Sequence, residues 1–257
     1  MTVLMHSYYM ARRHILELAR SPYIIAMNII QPILYLLLFS ALFQAVVDIP
    51  GFNGGSYLSY FGPGIVIMST VIAGCYGGLT MVMDEKQGIL DRFLVSPANR
   101  FSLLAGPLLK DIVTMIIQAV IMIGLASILG ARFDGGMIGV FVLIVFSVFV
   151  GLAFGALSLA LALVVRNEQA LTSIVGFMQM PILFLSSLFM PLDLVPNWVE
   201  VIAKANPVNW SIEGAREALT SDANWIDIWI CLGMLACFAF LSVFIAMQAF
   251  KNYQRKR

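Results

Sequence analysis

The chain has 257 residues, of which 61% are hydrophobic and only 11% are charged; its formal net charge is +1 and its mean hydropathy is +0.93. A soluble domain usually carries about 25% charged residues to cover its surface, so this composition excludes an ordinary soluble protein and indicates that lipid surrounds most of the chain. No stripe of basic residues suggests a nucleic acid partner.

The first predicted element is an amphipathic helix over residues 4–20, within an N-terminal segment 1–21. Its apolar residues recur at spacings of three and four. Arg13, Glu17 and Arg20 lie on the opposite face, with Arg13 and Glu17 at the spacing of a helical ion pair. Such a helix can rest in the membrane interface and turn its basic face toward lipid headgroups or toward a partner protein.

Six apolar stretches follow, and each is long enough to cross the hydrocarbon core, which takes about 20 helical residues. Because the stretches are continuously apolar, helices are favoured over strands. We predict an all-α integral membrane protein in which residues 22–257 form a six-helix transmembrane domain, with spans at about 23–47, 60–83, 101–131, 136–165, 169–191 and 227–250.

The loop between the second and third spans combines charge with a short apolar face. It runs DEKQGILDRFLVSP over residues 84–97, and Gly88 separates its acidic entry from a predicted short amphipathic helix. Ser96 and Pro97 suit the start of the next helix. So short an apolar-faced helix must pack either on the membrane or in the groove of a partner protein.

The longest predicted loop, residues 193–224, precedes the sixth span. Asn206 and Pro207 predict a helix to about Thr220, with Val208, Ile212, Ala215 and Leu219 on its apolar face and with Glu213, Arg216 and Glu217 facing away. The helix is too short to span a membrane. It can lie flat at the interface, dip in as a re-entrant lid, or cover the ends of the spans.

Basic residues are divided unequally between the two sides of this topology. Twelve of the 15 lysines and arginines lie in the N-terminus, the 84–111 loop, the 166–168 turn and the C-terminus, which six spans place on one side. Because basic loops stay in the cytoplasm, we predict cytoplasmic termini and location in the cell (inner) membrane.

No catalytic motif is found. The phosphate loop, the serine hydrolase elbow and the zinc protease helix are all missing from the sequence. The three cysteines lack metal-ligand spacing, so no metal site is predicted. Lys110 and Asp111 fall near the edge of the third span, where we interpret them as a snorkelling lysine and a solvated aspartate.

Uncharged polar and adaptable side chains occur within the spans. One hypothesis is that spans one, two and five line a path for amphipathic cargo. The alternative is hydrogen bonding between helices. The candidate path residues are Asn28, Gln31, Gln44, Met178, Gln179 and Phe184.

Two stretches resemble the type-2 ABC transporter permeases, a family of drug, antibiotic and polysaccharide exporters. The first is 84–97, followed by Gly106 and Lys110. It is similar to a pattern of the family that has an acidic residue, a basic residue, a glycine, two apolar residues, an acid-arginine pair and further apolar residues, and that ends with a hydroxyl residue and a proline. It departs in having Asp84-Glu85 where Arg-Glu is usual. The second runs from Phe189-Met190-Pro191 through Pro196-Asn197-Trp198 to Asn206-Pro207-Val208.

The resemblance implies a cytoplasmic coupling helix within 84–97 that docks on a separate ATPase, a connecting helix over 4–20, and two copies of this chain facing each other. ATP and Mg would bind to the ATPase, present in two copies, with no cofactor in this chain. The implied coupling residues are Asp84, Glu85, Gly88, Ile89, Leu90, Asp91, Arg92, Phe93, Leu94 and Pro97.

These observations favour a non-catalytic permease subunit of an ATP-driven exporter that moves an amphipathic small molecule or drug out of the cytoplasm. A lipid-linked polysaccharide or lipid exporter permease shares the architecture and stays open. A secondary carrier or channel is the alternative of another class, although few charges lie within the spans and no inverted repeat is visible.

Overall fold

The computed structural model describes residues 22–43, 56–88 and 100–255. The predicted connecting helix with Arg13, Glu17 and Arg20, the coupling residues 89–97 and Gln44 lie outside the described residues, and so does the side chain of Asn28. The regular structure of the described residues is helical throughout, in agreement with the all-α prediction.

Eight α-helices and one short 3₁₀ turn at Leu192–Leu194 make up the described part of the chain. The helices are α1 (Pro22–Leu42), α2 (Tyr57–Lys86), α3 (Arg100–Ile128), α4 (Gly136–Val165), α5 (Glu168–Phe184), α6 (Asn197–Lys204), α7 (Pro207–Ala218) and α8 (Trp225–Arg255).

Four of these helices are long and apolar enough to cross a membrane, judged on the described residues. They comprise Tyr57–Lys86, Gly106–Ile128, Gly136–Val165 and Trp225–Tyr253. A shorter apolar stretch, Ile29–Leu42, lies in α1, and α5 has 17 residues. The helices pack side by side into a bundle. We call its two ends the Tyr57 end and the Lys86 end, after the first and last residues of α2.

Glycines bring α2 and α4 into backbone contact at the centre of the bundle. A Cβ at Gly74 would collide with the carbonyl group of Gly151, and a Cβ at Gly78 would collide with the backbone of Ser158. The Ser158 hydroxyl donates to the Cys75 carbonyl at 2.5 Å and accepts from the Gly78 amide at 3.1 Å. Small residues four apart thus serve packing within the chain.

The helix α5 ends at Phe184, before the predicted end of the fifth span at 191. The Asn206 side-chain amide donates to the carbonyls of Ile182 and Leu185, both at 2.7 Å. These are carbonyls that a helix terminus leaves without an internal partner. The chain therefore turns at Leu185, because a residue from the next loop completes the hydrogen bonds that further helix would have made.

The helix α7 is wedged among the helix ends at the Tyr57 end. The Asn206 side chain caps it by accepting from the Val208 amide at 3.0 Å, and Pro207 follows at the first position. Val208, Ile212 and Ala215 are fully buried, and α7 packs against α2, α4 and α8. The predicted apolar face is therefore confirmed, and it covers the ends of the longer helices.

Arg216 contradicts the prediction that it faces away from the bundle. Its guanidinium donates to the carbonyls of Tyr60, Ser187 and Leu188 at 3.0, 2.8 and 3.2 Å, and it lies 3.6 Å from the centroid of the Tyr60 ring. Burial lowers the pKa of the Arg216 guanidinium, and contact with Tyr60 opposes that effect. The side chain turns inward because the segment after α5 offers unsatisfied carbonyls.

Candidate functional site

The last turn of α2 carries the described part of the predicted coupling segment, Asp84, Glu85 and Gly88. The Gln87 amide donates to the Met83 carbonyl at 3.0 Å and the Gly88 amide donates to the Glu85 carbonyl at 3.0 Å. Gly88 has a φ of +66°, in the left-handed region that glycine adopts most readily. The sequence separates two segments at Gly88, and the structure ends α2 two residues earlier, at Lys86.

Two polar contacts tie this turn to other helices. Lys86 pairs with Glu168 in the first turn of α5 at 2.9 Å. The Tyr253 hydroxyl, near the end of α8, donates to the Glu85 carboxylate at 2.9 Å. These two contacts join the α2 terminus to the first turn of α5 and to the last turns of α8.

The link from α4 to α5 joins the same cluster. Arg166 ends α4 in a left-handed conformation with a φ of 53°, and its guanidinium lies 4.4 Å from the centroid of the Tyr253 ring. Asn167 then caps α5 by accepting from the Ala170 amide at 3.1 Å. Glu168 lies in the first turn of α5, where the helix dipole favours a carboxylate. Four helix termini thus meet at the Lys86 end.

Sequence reasoning did not identify Arg166, Glu168 or Tyr253 as candidates. The topology does place the 84–111 loop, the 166–168 turn and the C-terminus on one side, so their proximity could have been expected. The individual pairs could not, because Tyr253 and Glu85 are 168 residues apart in the chain.

A polar cavity of about 450 Å³ lies between α2 and α3. Lys110 pairs with Asp111 at 2.9 Å and donates to the Thr80 hydroxyl at 3.2 Å. The side chains of Lys110 and Asp111 are only 16% and 8% exposed, and the buried Gln118 lines the same cavity. The interpretation of Asp111 as a solvated edge residue is therefore wrong: it contacts Gly77, whose missing side chain leaves room for the carboxylate.

A second, apolar cavity of about 470 Å³ lies against α5. Met178 and Gln179 line it, together with residues of α4 and with Phe238 of α8. Gln31 and Phe184, the other candidate path residues whose side chains the structure describes, do not line this cavity. Gln31 is exposed on α1 and donates to the Tyr35 hydroxyl at 3.1 Å, and Phe184 stacks on Phe189 with ring centroids 4.8 Å apart.

The comparisons with known proteins point to one family. The family model described as ABC-2 type transporter matches residues 6–220. The daunorubicin resistance ABC transporter permease protein DrrB1 of Streptomyces coeruleorubidus is 31% identical over 84% of this chain and 76% of its own length. The protein named "Putative transport permease ycf38" of Pyropia yezoensis is 31% identical over 87% and 79%. The "Probable doxorubicin resistance ABC transporter permease protein DrrC" of Mycobacterium tuberculosis is 23% identical over 73% and 67%.

Proposed function

Because the chain belongs to the ABC-2 type transporter family and is a multi-pass membrane permease, we propose that it is the transmembrane subunit of an ATP-driven exporter of amphipathic small molecules. In this proposal the chain crosses the cell (inner) membrane six times with both termini in the cytoplasm. Two copies face each other, and each is driven by a separate ATPase that binds ATP and Mg. The chain itself is not catalytic.

The Lys86 end is the observation that carries the coupling part of the proposal. Residues 84–88 leave α2 at the point where the termini of α4, α5 and α8 converge. The segment 89–97, which continues from this point, is our proposed docking helix for the ATPase, with the connecting helix 4–20 beside it. Supporting this orientation, the basic residues concentrate on the same side of the predicted topology.

Coupling then works by a displacement at one end of the bundle. ATP-driven closure of the two ATPases would move residues 84–97, and a partner can shift the bundle only if it binds the two arrangements with different affinity. Lys86 would carry the displacement to α5 through Glu168, and Glu85 would carry it to α8 through Tyr253. The glycine contact between α2 and α4 keeps these two helices moving as one unit.

Relatives whose names specify daunorubicin or doxorubicin resistance support a drug-like cargo. An amphipathic cargo would suit a bundle that has an apolar cavity beside α5 and a polar cavity between α2 and α3. A lipid-linked polysaccharide or lipid is the competing cargo within the same architecture. A screen for compounds that stimulate ATP hydrolysis by the reconstituted complex separates the two.

A charge exchange at the Lys86 end tests the proposal. The side chains of Lys86 and Glu168 are 56% and 42% exposed, so their pairing contributes only about 0.2–1 kcal/mol to stability. Lys86→Glu should therefore leave membrane insertion and melting temperature unchanged while lowering transport per ATP hydrolysed. Adding Glu168→Lys should restore coupling, because the pair re-forms with its charges exchanged.

The measurement uses the full-length chain reconstituted in vesicles with the ATPase that co-purifies with it. ATP hydrolysis and uptake of a fluorescent anthracycline are followed in the same vesicles. Equal transport per ATP in the wild type, the single variants and the exchanged pair would show that the ion pair between Lys86 and Glu168 plays no part in coupling. Failure of any phosphate-loop ATPase to co-purify with the chain would contradict the ATP-driven reading as a whole.

The buried Lys110 and Asp111 favour a second candidate, an ion-coupled carrier, because paired charges within a membrane bundle often mark an ion pathway. In that case a proton gradient without ATP would drive transport, and Asp111→Asn would abolish it. Transport that needs ATP and survives collapse of the gradient would exclude this candidate.

A further inference from the structure

Gln179 is a polar side chain buried in an almost wholly apolar cavity. It lies on α5, is 8% exposed, and lines the apolar cavity together with Val175 and Ile182 of the same helix. Among the described residues, the structure shows no hydrogen-bond partner for its side-chain amide. Buried polar groups in proteins are almost always hydrogen-bonded, so the amide NH₂ of Gln179, a donor group, and its carbonyl oxygen, an acceptor, are available to a ligand.

The other polar groups of the cavity wall are already occupied. The Ser158 hydroxyl bridges the Cys75 carbonyl and the Gly78 amide. The Asn206 side chain donates to two carbonyls at the end of α5 and accepts from the first turn of α7. Both side chains hold the fold together, which leaves Gln179 as the polar side chain of this wall that can serve a guest.

The shape and charge of the cavity limit what that guest can be. Its floor includes Phe154 and Phe238, whose ring centroids are 6.0 Å apart. None of the lining residues carries a formal charge, so a charged group inside would lose its hydration without compensation. A volume of about 470 Å³ lies within the range of cavities that hold drug-sized ligands, about 300–1,000 Å³.

The cavity opens on the apolar surface of the bundle. Its rim includes Met178 of α5 and Ile202 of α6, which are 54% and 44% exposed. α5 packs on α2 and α4, and α8 packs on α4 and α7, so the gap lies between α5 and α8 above α4. A guest can therefore enter sideways from the hydrocarbon region and does not need to pass through either end of the bundle.

We propose that this cavity binds a neutral, apolar molecule that presents one hydrogen-bonding group, such as a carbonyl or a hydroxyl, to Gln179. A free apolar solute and the ester region of a membrane lipid share this chemistry. The inference concerns binding to this chain alone and is independent of the ATP-coupled function, because it is tested without an ATPase.

Nile red, a neutral apolar dye with a carbonyl group, is the probe for the first test. The purified full-length chain is placed in phosphatidylcholine nanodiscs, and dye binding is measured by fluorescence anisotropy above that of empty discs. Gln179→Leu keeps the volume and removes the hydrogen bond, so we expect binding to weaken by about tenfold. Gln248→Leu, the same replacement at an exposed position of α8 outside the cavity, should leave binding unchanged.

Filling the cavity gives an independent variant. Val175→Phe adds a ring at a wall position that is 7% exposed, and we expect it to remove the saturable dye signal. Each variant is first checked for an unchanged elution volume and melting temperature. Should Val175→Phe fail this check, Ile182→Phe replaces it on the same wall.

A second arm identifies the source of the bound group. A phosphatidylcholine with a photoreactive acyl chain is cross-linked to the protein with and without the dye as competitor for the cavity, and the cross-linked peptides are mapped. Cross-links to α5 that the dye displaces indicate a site shared with lipid, and dye binding without lipid cross-links indicates a site for free solutes. Both outcomes support the proposal. Dye affinity that is equal in the wild type, Gln179→Leu and the filled variant would overturn it.

Discussion

Arg216 is the side chain whose replacement has the largest expected effect at the Tyr57 end. It donates to three carbonyls, those of Tyr60, Ser187 and Leu188, and it stacks on the Tyr60 ring. Hydrogen bonds from a charged donor contribute about 1.5–3 kcal/mol each, and stacking of the cation adds about 0.5–2 kcal/mol. Their sum is an upper bound, because the carbonyls released by a substitution recover part of it from water.

We therefore expect Arg216→Leu to lower the free energy of unfolding by about 3–5 kcal/mol, as removal of one partner from a buried polar network generally does. For a chain of this size that corresponds to a fall of roughly 10 °C in melting temperature. Arg216→Lys keeps the charge but loses the planar fork, so it should recover less than half of the loss.

The assay is thermal unfolding of the purified chain in detergent, followed by size-exclusion chromatography after heating. Arg132→Leu is the matched control, because Arg132 lies at the same end of the bundle and is exposed. Although burial lowers the pKa of Arg216, an arginine stays charged at neutral pH, so the difference should be the same at pH 6 and at pH 8. A loss below about 2 °C for Arg216→Leu would refute the assignment of these hydrogen bonds.

Gly74→Val places a side chain against the backbone of α4, and we expect it to destabilise the bundle by more than the about 1–3 kcal/mol of ordinary overpacking. Gly124→Val on α3 is its control, because that glycine faces open space, and thermal melting compares the two variants. Tyr253→Phe removes the hydrogen bond to Glu85 and should cost about 1 kcal/mol; an unchanged melting temperature would contradict this contact. Asn206→Ala exposes two carbonyls at the end of α5 and removes a helix cap, for about 2–3 kcal/mol. Asn206→Asp keeps the cap alone, so its melting temperature should fall between those of the wild type and the alanine variant.

The positions of the long helices could be predicted from the sequence because a continuous apolar run specifies both helix and burial. The helix α4 coincides with its predicted range 136–165, and α2 extends the range 60–83 by one turn at each end. The end of α5 could not be predicted, because it depends on Asn206, which lies beyond the next helix. The hydrophobic pattern of a segment predicts the structure of that segment, whereas a helix can also be ended by a side chain from elsewhere in the chain.

Sequence reasoning also misplaced two charged residues, each for a physical reason. A helical wheel assigns Arg216 to the polar face of α7, but the wheel contains no information about the carbonyls at 187 and 188. The charge of Asp111 predicts an exposed side chain, whereas Lys110 and the space left by Gly77 make its burial possible. In both cases the determining group lies on another element.

The candidate site at the Lys86 end could also be predicted only in part from the sequence. The charged and glycine-containing turn at 84–88 could be recognised from its residue types, and its location on the cytoplasmic side stays a prediction from the distribution of basic residues. Its partners Glu168 and Tyr253 required the fold. The two cavities could not be foreseen at all, because each is defined by the way several helices fail to fill the space between them.

The arrangement suggests which helix moves when the Lys86 end is displaced. α2 and α4 are held by direct backbone contact, so separating or sliding them would break a packed interface. α5 is held differently: an exposed ion pair fixes its first turn, Asn206 fixes its last, and the apolar cavity lies along one side of it. A helix that is fixed at its two ends and has a cavity along one side between them can tilt at small cost. We therefore expect α5 to be the mobile wall of the bundle, with its displacement changing the volume of the apolar cavity.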